Sequence, residues 1–342
     1  MNKSWLSLAV LSLLAGAASA QSSVTVYGLV DLAVTKGNGG TAPNSGANGT
    51  SKAWLMKQST SSRLGFRGNE DMGGGLSAQF QLEHRFTPDD GGAATPFWAG
   101  RSYVQLTSAS AGSVYLGREY TPAFHPAVKT DPFGWNGVGQ AGQTMWATYA
   151  SPQNVAGALG ISGVRTSNTV GYKSPKFAGL SAQVAMGLGE GVVGRDFGFN
   201  VEYGAGPIYA AIGYEKMTGV GSLAASSAAN GNSLVNLAFH YTFGPVTPRV
   251  YFAQSKVNVG TASPSTDKYF MVGATASVGG GVVKAFYGRL NPQGSNNDSD
   301  KVGLGYDHFL SKRTNLYLDG GFARADLKTK NNVFALGVKH TF

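Results

Sequence analysis

The 342-residue chain carries 27 basic and 18 acidic side chains, a formal net charge of +9, yet only 13% of its residues are charged. Its 42% hydrophobic content excludes a disordered chain, and the lack of cysteine excludes a disulfide scaffold. Low charge beside 50 glycines, 15 tyrosines and 18 phenylalanines is a poor match to a soluble enzyme, and the positive balance leaves nucleic acid, an anionic surface or anionic solutes as partners.

Residues 1–20 read as a cleaved signal peptide. Lys3 gives a positive start, Leu6 to Ala17 an apolar core, and Ala18-Ser19-Ala20 an A-x-A cleavage site. The mature chain is expected to begin at Gln21. Without Lys3 it keeps 26 basic and 18 acidic side chains, a net +8. No later stretch is apolar for the roughly 18 residues that a spanning helix needs.

From Gln21 onward the hydrophobic period is two. Val24, Val26, Val30 and Leu32 share one face of the first segment. Leu76, Ala78, Phe80 and Leu82 oppose Ser77, Gln79, Gln81 and Glu83. Leu180, Ala182, Val184, Met186 and Leu188 oppose Ser181 and Gln183. Phe197, Phe199, Val201 and Tyr203 oppose Asp196, Asn200 and Glu202. Val235, Leu237, Phe239, Tyr241 and Phe243 oppose Asn236, His240 and Thr242, and Leu316, Leu318 and Phe322 oppose Asn315, Tyr317 and Asp319. Strands with one apolar and one wet face give this pattern.

The connections alternate in length. Short turns fall near 69–75, 108–112, 174–179, 204–207, 244–246, 279–281 and 311–313. Longer Gly-rich or polar stretches fall near 36–52, 87–97, 120–160, 189–195, 217–232, 258–267, 291–299 and 325–330. Seven short and eight long connections imply sixteen strands. An even count with short turns at one rim and long loops at the other is the pattern of an outer-membrane β-barrel. A soluble β-sandwich also alternates, but has no need of an apolar outward face on every strand. Both termini then fall on the short-turn, periplasmic rim. The last strand closes the barrel against Val24 to Leu32, with Phe334, Leu336, Val338, His340 and Phe342 on one face.

Several segments resemble a known family. Val24-Thr25-Val26-Tyr27-Gly28-Leu29-Val30-Asp31 and Ser62-Arg63-Leu64-Gly65-Phe66-Arg67-Gly68-Asn69-Glu70-Asp71-Met72 are similar to the first strands of Gram-negative general diffusion porins of the Neisseria, Burkholderia and Bordetella type. Tyr115-Leu116-Gly117-Arg118-Glu119-Tyr120-Thr121-Pro122 resembles the approach to their third loop, and Gly337-Val338-Lys339-His340-Thr341-Phe342 their C-terminal signature. The resemblance implies an all-β, sixteen-stranded antiparallel transmembrane barrel in the outer membrane of a Gram-negative bacterium. It also implies a long third loop, about 120–160, folded into the pore, and assembly as a homotrimer. His340 and Phe342 would be the signal read by the barrel-assembly machinery. Other expected partners are outer-membrane lipids including lipopolysaccharide, and small anionic or neutral solutes; nucleic acid is not expected. No cofactor is expected.

Six of the eleven arginines lie in the first six strands or at their ends. Parity puts Arg63, Arg67, Arg85, Arg101 and Arg165 toward the lumen, Arg165 running with Ser167 and Thr169 opposite Val170 and Tyr172. At the lipid midplane each would cost about 2–4 kcal/mol. Arg118 shares parity with Val114 and Leu116, so it requires a bulge or a strand that has already ended. Arg63, Arg101 and Arg165 are the leading candidates for a constriction cluster, with Arg67, Arg85 and Arg118 behind them. Glu119 and Asp131 are the acidic counterparts, Asp131 in the tip Asp131-Pro132-Phe133-Gly134. The expected activity is a water-filled, passive, anion-selective pore, because clustered guanidiniums concentrate anions and repel cations.

Other motifs carry less. Gly189-Glu190-Gly191-Val192-Val193-Gly194 fits G-x-G-x-x-G, but a strand pattern follows where a nucleotide site needs a helix. His84, His125, His240, His308 and His340 show no metal-ligand spacing. Asp89-Asp90 and Asp298/Asp300 read as solvated loop charge, and Trp98, Trp135, Trp146 and Tyr149 as loop or trimer packing. Nothing resembles a nucleophile elbow, so an enzyme is not expected. A substrate-specific outer-membrane channel remains as an alternative, and a surface adhesin barrel as a more distant one.

Overall fold

The alternation of Val, Leu, Phe and Tyr with Ser, Gln and Asn favours strands that can be dry on one face and wet on the other. In a lipid bilayer such strands must also pair at every edge, which only a closed sheet achieves. The computed structural model describes residues 23–44, 51–142, 163–190, 195–217, 232–257, 265–293 and 298–342. The expected signal peptide, residues 143–160 of the long loop with Trp146 and Tyr149, and Gly191 to Gly194 of the glycine motif lie outside them.

Sixteen antiparallel wall strands form one closed sheet: Ser23–Gly37, Ser62–Gly73, Leu76–Thr87, Ser102–Ser108, Gly112–Tyr120, Arg165–Lys173, Leu180–Gly187, Asp196–Ala205, Ile208–Met217, Asn232–Tyr241, Val246–Val257, Ser265–Val278, Gly281–Pro292, Ser299–Phe309, Thr314–Ala325 and Asn331–Thr341. Two further short strands, Trp54–Lys57 and Gly92–Ala93, lie within the first two long connections. The first pairs with Ala33 to Lys36 and the second with Phe86 and Thr87.

Seven connections are short, and one is built from Gly73, Gly74 and Gly75 with φ of 79°, 61° and 79°. A Cβ on Gly73 or Gly74 would meet nothing within 4 Å. There the backbone conformation, not crowding, requires glycine.

Closure differs in register from the expectation. Val333 to Thr341 pair with Gly37 to Leu29, while Ser23 to Leu29 pair with Asn69 to Arg63. The last strand therefore runs along the distal half of the first strand, on the edge opposite the one that pairs with Ser62–Gly73 and Trp54–Lys57. Gly28 and the terminal Phe342 exchange backbone hydrogen bonds of 3.1 Å in both directions.

The outer face is apolar. Val104, Leu106, Val114, Leu116, Leu237, Phe239, Leu304, Leu318 and Leu336 are all exposed on it. Their neighbours of opposite parity, such as Gln105, Tyr115, Gln183, Asn200, Asn236 and Tyr317, are buried. Replacing Leu237 by Arg should cost about 2–4 kcal/mol if this belt faces hydrocarbon. Unfolding of the refolded protein by urea in lipid vesicles measures the loss, and an unchanged midpoint would contradict the assigned face.

The connection after Gly112–Tyr120 contains a short helix, Phe124–Thr130, whose Thr130 hydroxyl donates to the Pro126 carbonyl at 2.6 Å. Its contacts run to wall residues of the polar parity. Asn200 donates to the Pro122 carbonyl and Asn236 to the Ala123 carbonyl, both at 2.8 Å. Arg249 donates to the Lys129 carbonyl at 2.6 Å. A buried apolar cluster joins Phe124, Ala127 and Phe133 of the connection to Tyr251, Tyr269, Met271 and Phe286 of the wall.

Candidate functional site

The basic residues singled out in the sequence gather along strands Ser62–Gly73 to Arg165–Lys173. Register places Arg63 opposite Arg85, and Leu29 opposite Arg63, on the polar parity. Two guanidiniums side by side need an acid, and Glu83 supplies it: its carboxylate meets Arg85 at 2.6 Å and Arg63 at 3.7 Å. Glu83 is only 2% exposed. Tyr27 donates to it at 3.2 Å.

Glu119 forms a second node. Arg101 Nε donates to it at 2.6 Å, a second Arg101 nitrogen closes a bidentate pair, and Lys173 reaches it at 3.2 Å. A forked guanidinium suits a carboxylate better than a point charge does. The two nodes are linked through polar residues of neighbouring strands: Tyr103 donates to Gln81 at 3.1 Å and lies beneath the Arg101 guanidinium at 5.1 Å.

Tyr120 draws in the third candidate. Arg165 donates to its hydroxyl at 2.9 Å and stacks over its ring at 4.4 Å, with Arg101 over the same ring at 5.5 Å. Arg165 also lies in electrostatic range of Arg63, Arg85 and Glu83. Within this wall five cations (Arg63, Arg85, Arg101, Arg165, Lys173) face two carboxylates (Glu83, Glu119), a local balance of +3. Arg67 is more exposed and stands over the Tyr27 ring at 5.4 Å.

Two parity arguments meet a bulge. Gly117 pairs with Thr169 but Glu119 with Thr166, so the register shifts by one across Arg118. The extra residue is Asn168, at φ 55°, a conformation that Asn tolerates. The extra residue lies on the partner strand, so Arg118 keeps the parity of Val114 and Leu116; it donates to Ser167 at 2.9 Å and to the Ala99 carbonyl at 3.2 Å. The shift corrects the parity of Arg165. Thr166 and Thr169 are the buried pair, so Arg165 does not share the Thr169 face and reaches the cluster along Tyr120.

Asp131 is placed elsewhere. Its carboxylate accepts the backbone N–H groups of Phe133 and Trp135 at 3.0 Å and of Ala141 at 3.1 Å. Burial pushes this carboxyl above the usual range, while those three donors and nearby Lys301 pull it back. It organises its own loop. The loop tip then packs Phe133 on Phe286, with Lys284 over the Phe133 ring at 4.6 Å. Lys284 meets Asp307 at 3.0 Å and Asp319 at 3.1 Å. Trp135 packs on Phe124, whereas Trp98 packs edge-on to Phe66.

Glu83, Lys173, Tyr27, Tyr103 and Tyr120 were not singled out by the sequence reading. The parity of Glu83 with Arg85 was a usable signal for the first of them. Asp89 is paired with Lys57, and Asp298 and Asp300 with Arg289 and Arg324. His340 bonds Thr314 at 2.8 Å. Among the described residues no group of three or more His, Cys, Asp or Glu side chains could hold a metal ion.

Comparison with known proteins finds relatives along nearly the whole chain. The chain is 36% identical over 328 residues to outer membrane porin protein 32 of Delftia acidovorans, covering 93% of this chain and 88% of the relative. It is 28% identical over the full length of both chains to an outer membrane porin protein of Bordetella pertussis. The solved anion-selective porin from Comamonas acidovorans superposes with a TM-score of 0.80 at 27% identity, covering 94% of this chain and all of that one. The family model for Gram-negative porins matches residues 7–328, and with that span and the closed sixteen-stranded barrel the chain belongs to the Gram-negative porin family.

Proposed function

We propose that this outer-membrane porin is a passive, water-filled, anion-selective channel for small hydrophilic solutes, with no enzymatic activity. In this reading segment 121–142 folds into the lumen and forms a constriction with the wall that carries Arg63, Arg101 and Arg165. The single observation that carries it is the local excess of five cations over two carboxylates across adjacent strands of this wall. The anion selectivity of the Comamonas porin supports the same sign.

The chemistry follows from the residues. Guanidiniums stay charged at any physiological pH, so the wall is a permanent positive field. Glu83 and Glu119 hold the arginines in place without neutralising them all. An anion entering the narrow segment exchanges water for N–H donors and gains Coulomb energy, whereas a cation loses it. The opposite side is different in sign: around Phe133, Lys284 is matched by Asp307 and Asp319.

The channel would work as a homotrimer with both termini periplasmic, surrounded by lipopolysaccharide in the outer leaflet. The Phe342 end, bonded to Gly28 at the closing seam, would be the part handled by the assembly machinery. Single-channel recording of purified protein tests the pore itself. Discrete steps whose conductance rises in proportion to KCl concentration are expected. Conductance that saturates, or is blocked by one solute, would instead favour a substrate-specific channel.

A further inference from the structure

The outward face of Ile208–Met217, Val246–Val257 and Ser265–Val278 ends in lysine at one rim only. Lys216 follows Ile212 and Tyr214 on the first of these strands, and Lys256 follows Val250 and Phe252 on the second. Lys268 shares the parity of Phe270 and Val272 on the third. All three lysines are exposed, as are Ile212, Leu237, Phe252 and Phe270 of the apolar belt beside them. They stand at the strand ends that lead into the long connections after Met217 and after Val257. At the short turns the same outward face ends in Tyr241, Phe243 and Val278.

Register brings the three together. Lys216 pairs with Ser233 and Ser233 with Lys256, so these two lysines share a level two strands apart, about 10 Å. Lys256 pairs with Thr266, which puts Lys268 one diagonal step away, about 7–8 Å. Flexible four-carbon stems let ammonium groups at such spacings converge on one ligand. None of the three has an ion-pair or hydrogen-bond partner among the described residues. The neighbouring part of the rim is different. There Arg289 meets Asp298 at 2.6 Å and Asp300 at 3.5 Å, and Arg324 meets Asp300 at 3.0 Å. Glu215 and Asp267, the sequence neighbours of Lys216 and Lys268, are 0% and 1% exposed and lie on the inner parity. The adjoining residues 218–231 and 258–264 contain no Asp or Glu that could supply a counter-charge.

We propose that Lys216, Lys256 and Lys268 form a docking site for the phosphate groups of a lipopolysaccharide molecule in the outer leaflet. Three features select this occupant. The site faces lipid and not the lumen, so a permeating solute does not meet it. It lies where the apolar belt gives way to charge, which is the level of a lipid head, and the exposed Ile212, Phe252 and Phe270 offer the adjoining surface to the acyl chains. Its three positive charges lack a counter-charge in the protein, and a phosphorylated sugar head brings several negative charges in one molecule. A phospholipid with a single phosphate would leave lysines unmatched. The proposal rests on the reading of both termini as periplasmic, which places the long connections, and this rim with them, outside.

Binding of purified lipopolysaccharide to the detergent-solubilised protein compares wild type with Lys256→Gln and with Lys216→Gln, Lys256→Gln and Lys268→Gln combined. The single variant should bind about fivefold and the triple about 100-fold more weakly, both losses shrinking in high salt. Lipopolysaccharide stripped of its phosphates should bind wild type as weakly as the intact form binds the triple variant. Equal affinity of wild type and triple variant for the intact form would overturn the proposal. So would displacement by equimolar phosphatidylglycerol or inorganic phosphate, which would make the lysines a site for any phosphate. Labelling tests the orientation separately. The chain has no cysteine, so Leu327→Cys, at a position 92% exposed in the long connection before the last strand, reports sidedness. A membrane-impermeant maleimide should label it on intact cells. Labelling only after lysis would show that the orientation reading fails and would overturn the outer-leaflet assignment, even where the lysines bind lipopolysaccharide in detergent. Heat-modifiable gel mobility confirms that each variant has folded.

Discussion

Alanine replacement of Arg63, Arg101 and Arg165 together is expected to remove most of the preference for chloride over potassium. The three changes take the local balance of the basic wall from +3 to neutral, since Arg85 and Lys173 then face Glu83 and Glu119 alone. A unit charge about 10 Å from a permeating ion, at an effective dielectric between protein and water, is worth about 0.4–0.8 kcal/mol. Each arginine therefore changes anion partitioning about two- to fourfold, and the three together about tenfold or more, less in high salt. Single variants should fall short of a third of that effect for Arg101. Its loss frees Glu119 to pair fully with Lys173, which already lies at 3.2 Å. Zero-current potentials in a KCl gradient measure the wild type and the four variants. An unchanged potential in the triple variant would refute the constriction assignment while leaving the barrel intact.

The second large effect concerns the loop itself. Replacing Asp131 by Ala should raise single-channel conductance and open-channel noise. The carboxylate holds three backbone N–H groups within 3.1 Å in a buried turn. Hydrogen bonds to a charged group contribute about 1.5–3 kcal/mol each, and buried donors left unpaired cost about 1–3 kcal/mol each. A loss of about 3 kcal/mol or more in local order is expected. Without it the Phe133 contact to Phe286 and Lys284 is no longer aimed. Wild-type conductance and noise in the alanine variant would show that the turn does not depend on its acid. Asp131→Asn should be intermediate, because one oxygen acceptor survives.

Much of the architecture was legible because a period of two and the turn chemistry report on the same thing. Val104, Leu106, Val114 and Leu116 are outward in sequence pattern and in structure alike. Register was harder to read. Whether the last strand meets Val24 or Gly37 depends on how far the first strand runs past its neighbour, and side-chain parity carries no information about that offset. Arg165 shows the same limit on a smaller scale. One Asn at positive φ moves every later side chain to the other face, and Asn168 among Ser and Thr gave no warning.

The chemistry of the site was legible in part. Arginine on a polar parity is costly in lipid, so its direction could be argued residue by residue. Pairing could not, since Glu83 serves Arg63 across a strand boundary that only register defines. Asp131 was picked out as an acid near a pore, yet its own loop takes up all the acceptor capacity that the backbone contacts reveal. Asp196 read as a wet-face residue opposite Phe197, and that it lies beside Glu215 is a property of the Asp196–Met217 pairing.

The central claim is that the net positive wall selects the sign of the permeating ion. The most direct measurement is the zero-current potential of the wild-type channel across a planar bilayer with a KCl gradient. A potential of the sign set by chloride permeation is the result this account requires. A potential set by potassium would contradict it, whatever the conductance of the pore.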